Sequence, residues 1–494
     1  MRAGCRAARR SALSALSAFI CKSQGRAKMR LLSVRKCLGI AAAVGLTVAF
    51  APAARAEPID EVPSGTKLNK ANWEIAKGHL PDEILEFYKR GDYENPIVQK
   101  PGNEWLVDPN LIEASKKNAG KFKIDENGTV VDASTGERPA VITGLPFPDL
   151  QANDPEAGQK AIWNWFYSLY WEGSFHTNSP VNWVSRDGLL RRIATGVHFK
   201  YYDGNPPMFQ EKIGENPLNI LSRTIGVVNE PADVNGIVNL NWRFREGDKQ
   251  DNAWTYVPAL RRVRPINPAN RSDGLLGSDI SLDDGPYFDG KPEDFNFKVV
   301  GEGKILAHFD GPALEKGSPV RPLKPDEEVS SLVTEAVTGW RLESPEVPLI
   351  PPQTDGWKRD DGNSLVAWAP IAYTLVPRPV WIIEATPKNP YYLYGKQVLY
   401  LDKDTFRGYW KNKYDWKGNA LANWAVPAMP LTKTQTADGQ PWYMRTGGGG
   451  NAAFAVNYKQ DRATVTGMPV ETTDYHIQIP DKIYEVDRVS RMGK

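Results

Sequence analysis

Residues 237–245 alternate apolar and polar side chains, and this pattern limits the possible folds more than any other feature of the chain. The even positions are all apolar: Val238, Leu240, Trp242 and Phe244. The odd positions from 239 to 245 are Asn or Arg. Neighbouring side chains of a β-strand point to opposite faces, so this period predicts a strand with one buried face. A polar loop follows, and then a second run that carries Trp254 and Tyr256. We interpret the two runs as a hairpin with large rings on one face of a sheet.

Residues 30–56 have the three parts of a secretory signal. Arg30, Arg35 and Lys36 form a basic start, an apolar stretch follows from 38 to 50, and a small-residue cleavage pattern ends at Ala56. The apolar stretch is too short to cross a bilayer. The sequence therefore predicts export to the periplasm with cleavage near residues 56 and 57, from a start at either Met1 or Met29.

Cleavage at that point changes the chemistry of the chain. All three cysteines, Cys5, Cys21 and Cys37, lie in the removed segment, so the mature chain has no thiol to use as a nucleophile or metal ligand. The segment also holds 11 of the 61 basic residues and none of the 59 acidic ones, which leaves a mature net charge of −9. Nucleic-acid binding requires a basic surface, so we expect no nucleic-acid partner.

Short apolar runs separated by turns continue after the hairpin, which predicts a β-rich α+β chain. The clearest helix begins near Asp154 and Pro155 and carries rings around most of its circumference, with Trp163, Phe166 and Tyr170 among them. Such a helix is either buried in a core or closes over something apolar as a lid. Residues 189–193 look like a short helix that leads into a strand.

The sequence contains no recognisable catalytic or metal-binding motif. The five histidines are far apart in sequence and have no cysteine partners, so no metal site or cofactor is expected. No Gly-x-Ser-x-Gly elbow occurs. The fragment 277–279 (GSD) is better explained as a loop whose Ser and Asp bond the local backbone. We expect a protein that is not an enzyme.

Aromatic and aliphatic side chains on shared strand faces are the strongest candidate site. Besides Val238, Leu240, Trp242, Phe244, Trp254 and Tyr256, the set includes Trp381, Ile383, Tyr400 and Trp410. These rings form either an ordinary packed core or the wall of an apolar cavity between sheet and helix. A carbohydrate-binding protein or a glycosidase that uses tryptophan-rich surfaces is the alternative, because rings also stack on sugars.

Four blocks of sequence resemble a known family. They are residues 254–264 (WTYVPALRRVR), 276–284 (LGSDISLDD), 400–405 (YLDKDT) and 414–418 (YDWKG). Together they resemble the outer-membrane lipoprotein-sorting-like (LolA/LolB-like) group, and in particular a long periplasmic family found beside RND/MMPL-type exporters. The resemblance covers roughly residues 160–470.

The resemblance implies a fold and a task. The fold is a strongly curved antiparallel sheet, an incomplete barrel, that helices close over an apolar cavity. The task is to carry a lipid or another hydrophobic molecule, and the partner that the resemblance implies is an RND/MMPL-type exporter or an outer-membrane protein. The implied organisation is a leader at 1–56, an extension at 57–150 and the LolA/LolB-like β domain at 151–494. The family implies no catalytic residue, and this chain departs from the small carriers by its length and its 57–150 segment.

Overall fold

The structure is a computed structural model that describes residues 58–210, 215–330, 332–333, 338–343, 357–358, 364–436, 439–444, 452–467 and 472–492. The predicted signal sequence at 30–56 lies outside these residues. Within the described ranges, no helix is both long enough and apolar enough to cross a membrane.

Short elements make up the chain before residue 171. They are β1 (Lys67–Leu68), α1 (Asp82–Arg90), β2 (Asn95–Pro96), α2 (Pro109–Lys116), β3 (Phe122–Ile124), β4 (Val130–Asp132) and α3 (Ala157–Tyr170). The Asn-Gly turn at 127–128, a sequence signal for a strand pair, joins β3 and β4. Helix α1 has the sequence signals of a helix, with acidic residues in its first turn, basic residues in its last and Gly91 in the left-handed conformation after it.

Long strands follow, with short helices between some of them. The first group is β5 (Phe175–Val184), β6 (Leu189–Tyr201), α4 (Pro207–Gln210), β7 (Ile220–Glu230), β8 (Val238–Phe244), β9 (Asn252–Val257) and β10 (Arg262–Ile266). The second is β11 (Phe295–Asp310), α5 (Gly311–Lys316), β12 (Val320–Pro322), β13 (Trp340–Leu342), β14 (Trp357–Lys358), β15 (Ser364–Leu365), β16 (Tyr373–Pro387), β17 (Lys396–Asp402) and β18 (Gly408–Tyr414). The last is β19 (Ala420–Ala425), β20 (Thr432–Gln435), β21 (Pro441–Met444), β22 (Ala452–Asn457), β23 (Arg462–Gly467), β24 (Thr473–Tyr475) and α6 (Val486–Met492).

One large antiparallel sheet organises these strands. Its order is β10-β9-β8-β7-β6-β5-β23-β22-β19-β18-β17-β16-β11, and β24, β13 and β12 branch from β5. Across the described ranges, β10 and β11 at the two ends pair with one neighbour each, so the sheet does not close into a barrel. The predicted fold, an incomplete curved antiparallel sheet with helices against it, is confirmed.

Different parts of the chain cover the two faces of the sheet. On β16, Trp381 and Ile383 join a cluster with α3, whereas Val380 joins a cluster on the opposite face that residues 59–106 complete. Residues 111–147 pack with α3. The 57–150 segment therefore contributes to the cores on both faces, and its treatment as a separate extension stays a prediction.

The segment 189–193 corrects one local prediction. The sequence pattern predicted a short helix there, but these residues begin β6 and pair with β5, Ile193 opposite Val181. Leu189 and Leu190 are half or more exposed. Pairing with β5 gives this segment backbone hydrogen bonds to a distant part of the chain, and these outweigh a weak helix propensity.

Buried histidines make the stability of the fold depend on pH. Burial lowers the pKa of His308 to about 3 from 6.5, because its ring lies among Tyr88, Tyr373 and Trp410. Between these two values the unfolded chain binds a proton that the folded chain does not, so stability falls as the pH falls below 6.5.

We expect acidification from pH 7 to pH 5 to lower the free energy of unfolding by about 2 kcal/mol through His308 alone. Urea titrations at several pH values measure this slope. For the variant His308→Gln, the loss of unfolding free energy between pH 7 and pH 5 should be smaller by about 2 kcal/mol. Parallel curves for the variant and the parent would contradict the assignment.

Candidate functional site

An apolar cavity of about 220 Å³ lies against one face of β5, β6, β7 and β8. Its other wall is residues 271–289, which we name the covering segment. Phe175, Val181, Val197, Phe199 and Val228 line the cavity from the sheet. Leu275, Ile280, Leu282 and Pro286 line it from the covering segment. The cavity is therefore enclosed between strand side chains and a loop, and not between the sheet and α3.

The sheet wall is apolar although it contains several Ser and Thr side chains. Thr195 Oγ1 donates to the Ser179 carbonyl at 2.7 Å, and the hydroxyls of Ser179 and Thr466 lie 2.8 Å apart. Because these hydroxyls bond each other and the backbone, the wall offers the cavity mainly methyl groups and rings. Phe175 and Phe199 stack at 4.4 Å on this wall. The hydroxyls of Ser179, Thr195 and Thr466 are therefore already hydrogen-bonded and do not oppose the binding of an apolar ligand.

Asp279 attaches the covering segment to the sheet. Its backbone N–H donates to Thr464 Oγ1 at 2.9 Å, and its carboxylate accepts from Asn457 at 2.9 Å. The neighbouring Ser278 bonds the local backbone through Ile280, as predicted for a loop. The 277–279 fragment is thus an anchor that joins the segment to β22 and β23.

A second anchor of the covering segment is buried and charged. Asp284 lies 2.6 Å from Lys411 Nζ and 2.8 Å from Lys413 Nζ, and all three side chains are at most 1% exposed. Asp284 also accepts from the Ser281 N–H and hydroxyl. Burial opposes ionisation of Asp284, yet the two ammonium groups hold its pKa well below its usual value.

One end of the cavity is charged. There Asn241, Arg271 and Asp289 reach the lining. Arg271 donates to Asp283 and to Asn241, each at 2.7 Å, and to Asp289 Oδ2 at 3.3 Å. Arg243 behind them donates to Asp289 Oδ1 at 3.0 Å and to Asp251 at 2.8 Å. Burial raises the pKa of Asp289 to about 6, although two guanidinium groups oppose the shift.

The hairpin rings lie on the opposite face of β8 from the cavity. Val238, Leu240 and Tyr256 are buried with the chain end, notably Ile477, Ile483 and Val489, and Trp242 and Trp254 pack against this cluster. Trp242 Nε1 donates to the Tyr484 carbonyl at 2.9 Å. The structure thus brings five of the predicted residues together, with residues 477–489 as their cover. Phe244 lies apart, with Tyr202 and Ile220.

The remaining predicted residues separate into two clusters. Trp381 and Ile383 lie with Trp163, Phe166 and Tyr170 of α3. Trp410 is buried on the other face, and Tyr400 packs against the same cluster. None of the thirteen predicted residues lines the 220 Å³ cavity. Their role in ligand binding stays a prediction.

Side chains on several sides of helix α3 form hydrogen bonds with other segments of the chain. Trp163 Nε1 donates to the Gly128 carbonyl, and Trp165 Nε1 donates to the Phe288 carbonyl. Asn164 exchanges two hydrogen bonds with the Phe147 backbone, and Tyr167 donates to Asp203. These contacts favour the core interpretation of α3 over the lid interpretation, which stays a prediction.

The residues that line the cavity were missed because many of their side chains are short or polar and interrupt the apolar pattern of their strands. Thr177, Ser179 and Val181 on β5, and Thr195, Val197 and Phe199 on β6, alternate along the sequence. This period of two was the available signal for a shared face. The covering segment itself overlaps the 276–284 block that carries the family resemblance.

Two other kinds of site have little support. Among the described residues, no group of three or more His, Cys, Asp or Glu side chains could hold a metal ion. Of the tryptophans whose side chains are described, only Trp416 is exposed, at 53%. These rings therefore form no exposed row of the kind that the carbohydrate alternative requires.

The described chain is an open antiparallel sheet with an apolar cavity between one of its faces and a covering loop. The chain belongs to the DUF1329 family, because residues 67–348 and 352–487 match the family described as "Protein of unknown function (DUF1329)". The family prediction made from the sequence is confirmed. A comparison with curated proteins returned no match.

Solved structures similar to the chain have low sequence identity. A domain from Vibrio parahaemolyticus, described as an outer-membrane lipoprotein-sorting protein domain, is 14% identical, with a TM-score of 0.42 over 68% of this chain and 100% of that one. A DUF1329 family protein from Desulfovibrio piger is 14% identical, with a TM-score of 0.39 over 66% and 97%. A LolA superfamily protein from Nitrosomonas europaea is 13% identical, with a TM-score of 0.33 over 65% and 96%.

Proposed function

We propose that this chain is a periplasmic protein that binds and carries a lipid or another hydrophobic molecule without chemical change. The observation that carries the proposal is the cavity of about 220 Å³ between the sheet wall and the covering segment. The secretory pattern at 30–56 supports the compartment. Partnership with an RND/MMPL-type exporter or an outer-membrane protein belongs to the same proposal and rests on the family resemblance.

The size of the cavity suits part of an acyl chain. A water molecule takes up about 30 Å³ of the liquid, and a methylene group is of similar size. The cavity therefore holds on the order of seven methylenes. Burial of each methylene gains about 0.8 kcal/mol, which gives about 6 kcal/mol for seven or eight of them. A ten-carbon chain exceeds this estimate by a few methylenes, so its uptake requires a small movement of the covering segment, and a longer chain requires a larger one. The anchors Asp279 and Asp284 would then resist this opening.

The experiment combines native mass spectrometry of the purified chain with calorimetry. We expect an apolar molecule to co-purify, and the delipidated protein to bind decanol at a stoichiometry of one, with the negative heat-capacity change of apolar burial. A protein that carries no extractable molecule and takes up no decanol would contradict the proposal.

A further inference from the structure

The five charged side chains at the end of the cavity differ in their accessibility. The side chains of Arg243, Asp251, Arg271 and Asp283 are 1–5% exposed, whereas that of Asp289 is 21% exposed. Asp289 lines the cavity. The group that a ligand meets most easily at this end is therefore a carboxylate.

The charges of the cluster leave this carboxylate in excess. Arg243 pairs with Asp251 at 2.8 Å and Arg271 pairs with Asp283 at 2.7 Å. Asp289 is shared between the same two guanidinium groups at 3.0 and 3.3 Å, so two cations face three carboxylates. Lys411 and Lys413 share Asp284, so that neighbouring group has one surplus positive charge, and Asp283 is close enough to interact with Lys411. Both lysines are fully buried and lie outside the cavity lining, so the accessible charged group at this end is still Asp289.

The guanidinium groups have few donors left for an anion. Each nitrogen of Arg271 already donates, to Asp283, to Asn241 or to Asp289. A ligand carboxylate or phosphate at this end would face the accessible Asp289 oxygens, and like charges at close range in a buried site repel. An ammonium or hydroxyl group would instead donate a hydrogen bond to Asp289.

We propose that the cavity selects amphiphiles with a hydrogen-bond-donating polar end, a primary amine above all and then a hydroxyl, which Asp289 binds, and that it disfavours anionic ends. This inference rests on the proposed function, because it assigns the polar end of the same ligand. The alkyl chain of the ligand lies between the sheet wall, which carries Phe175 and Phe199, and the covering segment.

The pH dependence follows from the charges around Asp289. Its charged neighbours are Arg243 on β8, Arg271 on the covering segment, and Asp251 and Asp283 behind them. Two buried tyrosines, Tyr170 on α3 and Tyr201 on β6, also interact with its charge. An ammonium group binds the ionised carboxylate, and burial raises the pKa of Asp289 to about 6. The affinity for an amine should therefore fall as the pH is lowered from 7.5 to 5.5.

The test compares decylamine, decanol and decanoate, which share one chain, on the full delipidated protein at pH 7.5. We expect decylamine to bind at least tenfold more tightly than decanoate, with decanol between them. Asp289→Asn should remove most of this difference. The matched control Asp273→Asn, an exposed carboxylate on the same segment, should keep it.

The outcomes separate the two proposals. Tighter binding of decanoate, or equal binding of all three ligands, would overturn the assignment of the polar end while the carrier function stands. Failure of all three ligands to bind would count against the carrier function itself. The comparison on the unmodified protein holds even if Asp289→Asn does not fold.

Discussion

Replacing Asp284 with alanine should destabilise the folded chain by about 4 kcal/mol, the typical cost of removing one partner from a buried ion pair. Lys411 and Lys413 would remain fully buried after losing the carboxylate that both ammonium groups contact. The capping box that Asp284 forms with Ser281 would also be lost, and with it one anchor of the covering segment. Urea denaturation of the variant measures the loss.

Two matched variants separate this cause from a general loss of contacts. The triple variant Asp284→Leu, Lys411→Met, Lys413→Met removes every charge of the group and should recover most of the stability, because apolar replacement of a buried ion pair is often neutral. Glu86→Ala removes a half-exposed ion pair with Lys89 on α1 and should cost less than about 1 kcal/mol. A triple variant as unstable as Asp284→Ala would show that packing and not charge explains the effect.

The substitution Gly226→Leu should reduce the affinity for decanol about a hundredfold. Gly226 lines the cavity, and a Cβ placed on it would meet Val197 at an ordinary contact distance of 3.7 Å. A leucine side chain therefore enters the cavity and displaces three or four methylenes of the ligand, worth about 3 kcal/mol. Calorimetry with decanol measures the affinity, and the variant should fold normally.

Two comparison variants test which face of the sheet binds the ligand. Gly226→Ala leaves the cavity nearly unfilled and should bind like the parent. Trp242→Ala, on the opposite face of the sheet, removes the hydrogen bond to Tyr484 and the contact with Trp254, so it should lower stability by about 3 kcal/mol and change decanol affinity less than twofold. Loss of binding in Trp242→Ala with normal binding in Gly226→Leu would instead place the site among the hairpin rings.

Local patterns were sufficient to predict individual elements. The helix α1 follows from its acidic first turn, basic last turn and final glycine, and the β3–β4 pair follows from an Asn-Gly turn. These signals act between residues that are close in sequence. The prediction of a helix at 189–193 was wrong, because pairing with β5, a non-local contact, decided the conformation of this segment.

For the candidate site, the alternation at 237–245 correctly divided the side chains of β8 into two sets, because alternate positions of a strand must face opposite sides. Burial follows this division at Val238 and Leu240, which are at most 1% exposed, but Arg243 of the odd set is equally buried, because both faces of the strand are covered. The sequence did not determine what covers each set. Residues 477–489 fill the ring-bearing face, and the covering segment leaves a cavity over Asn239 and Asn241. A strand's own period fixes which residues share a face, but only the packing of distant segments decides which face is filled by the protein and which retains space for a ligand.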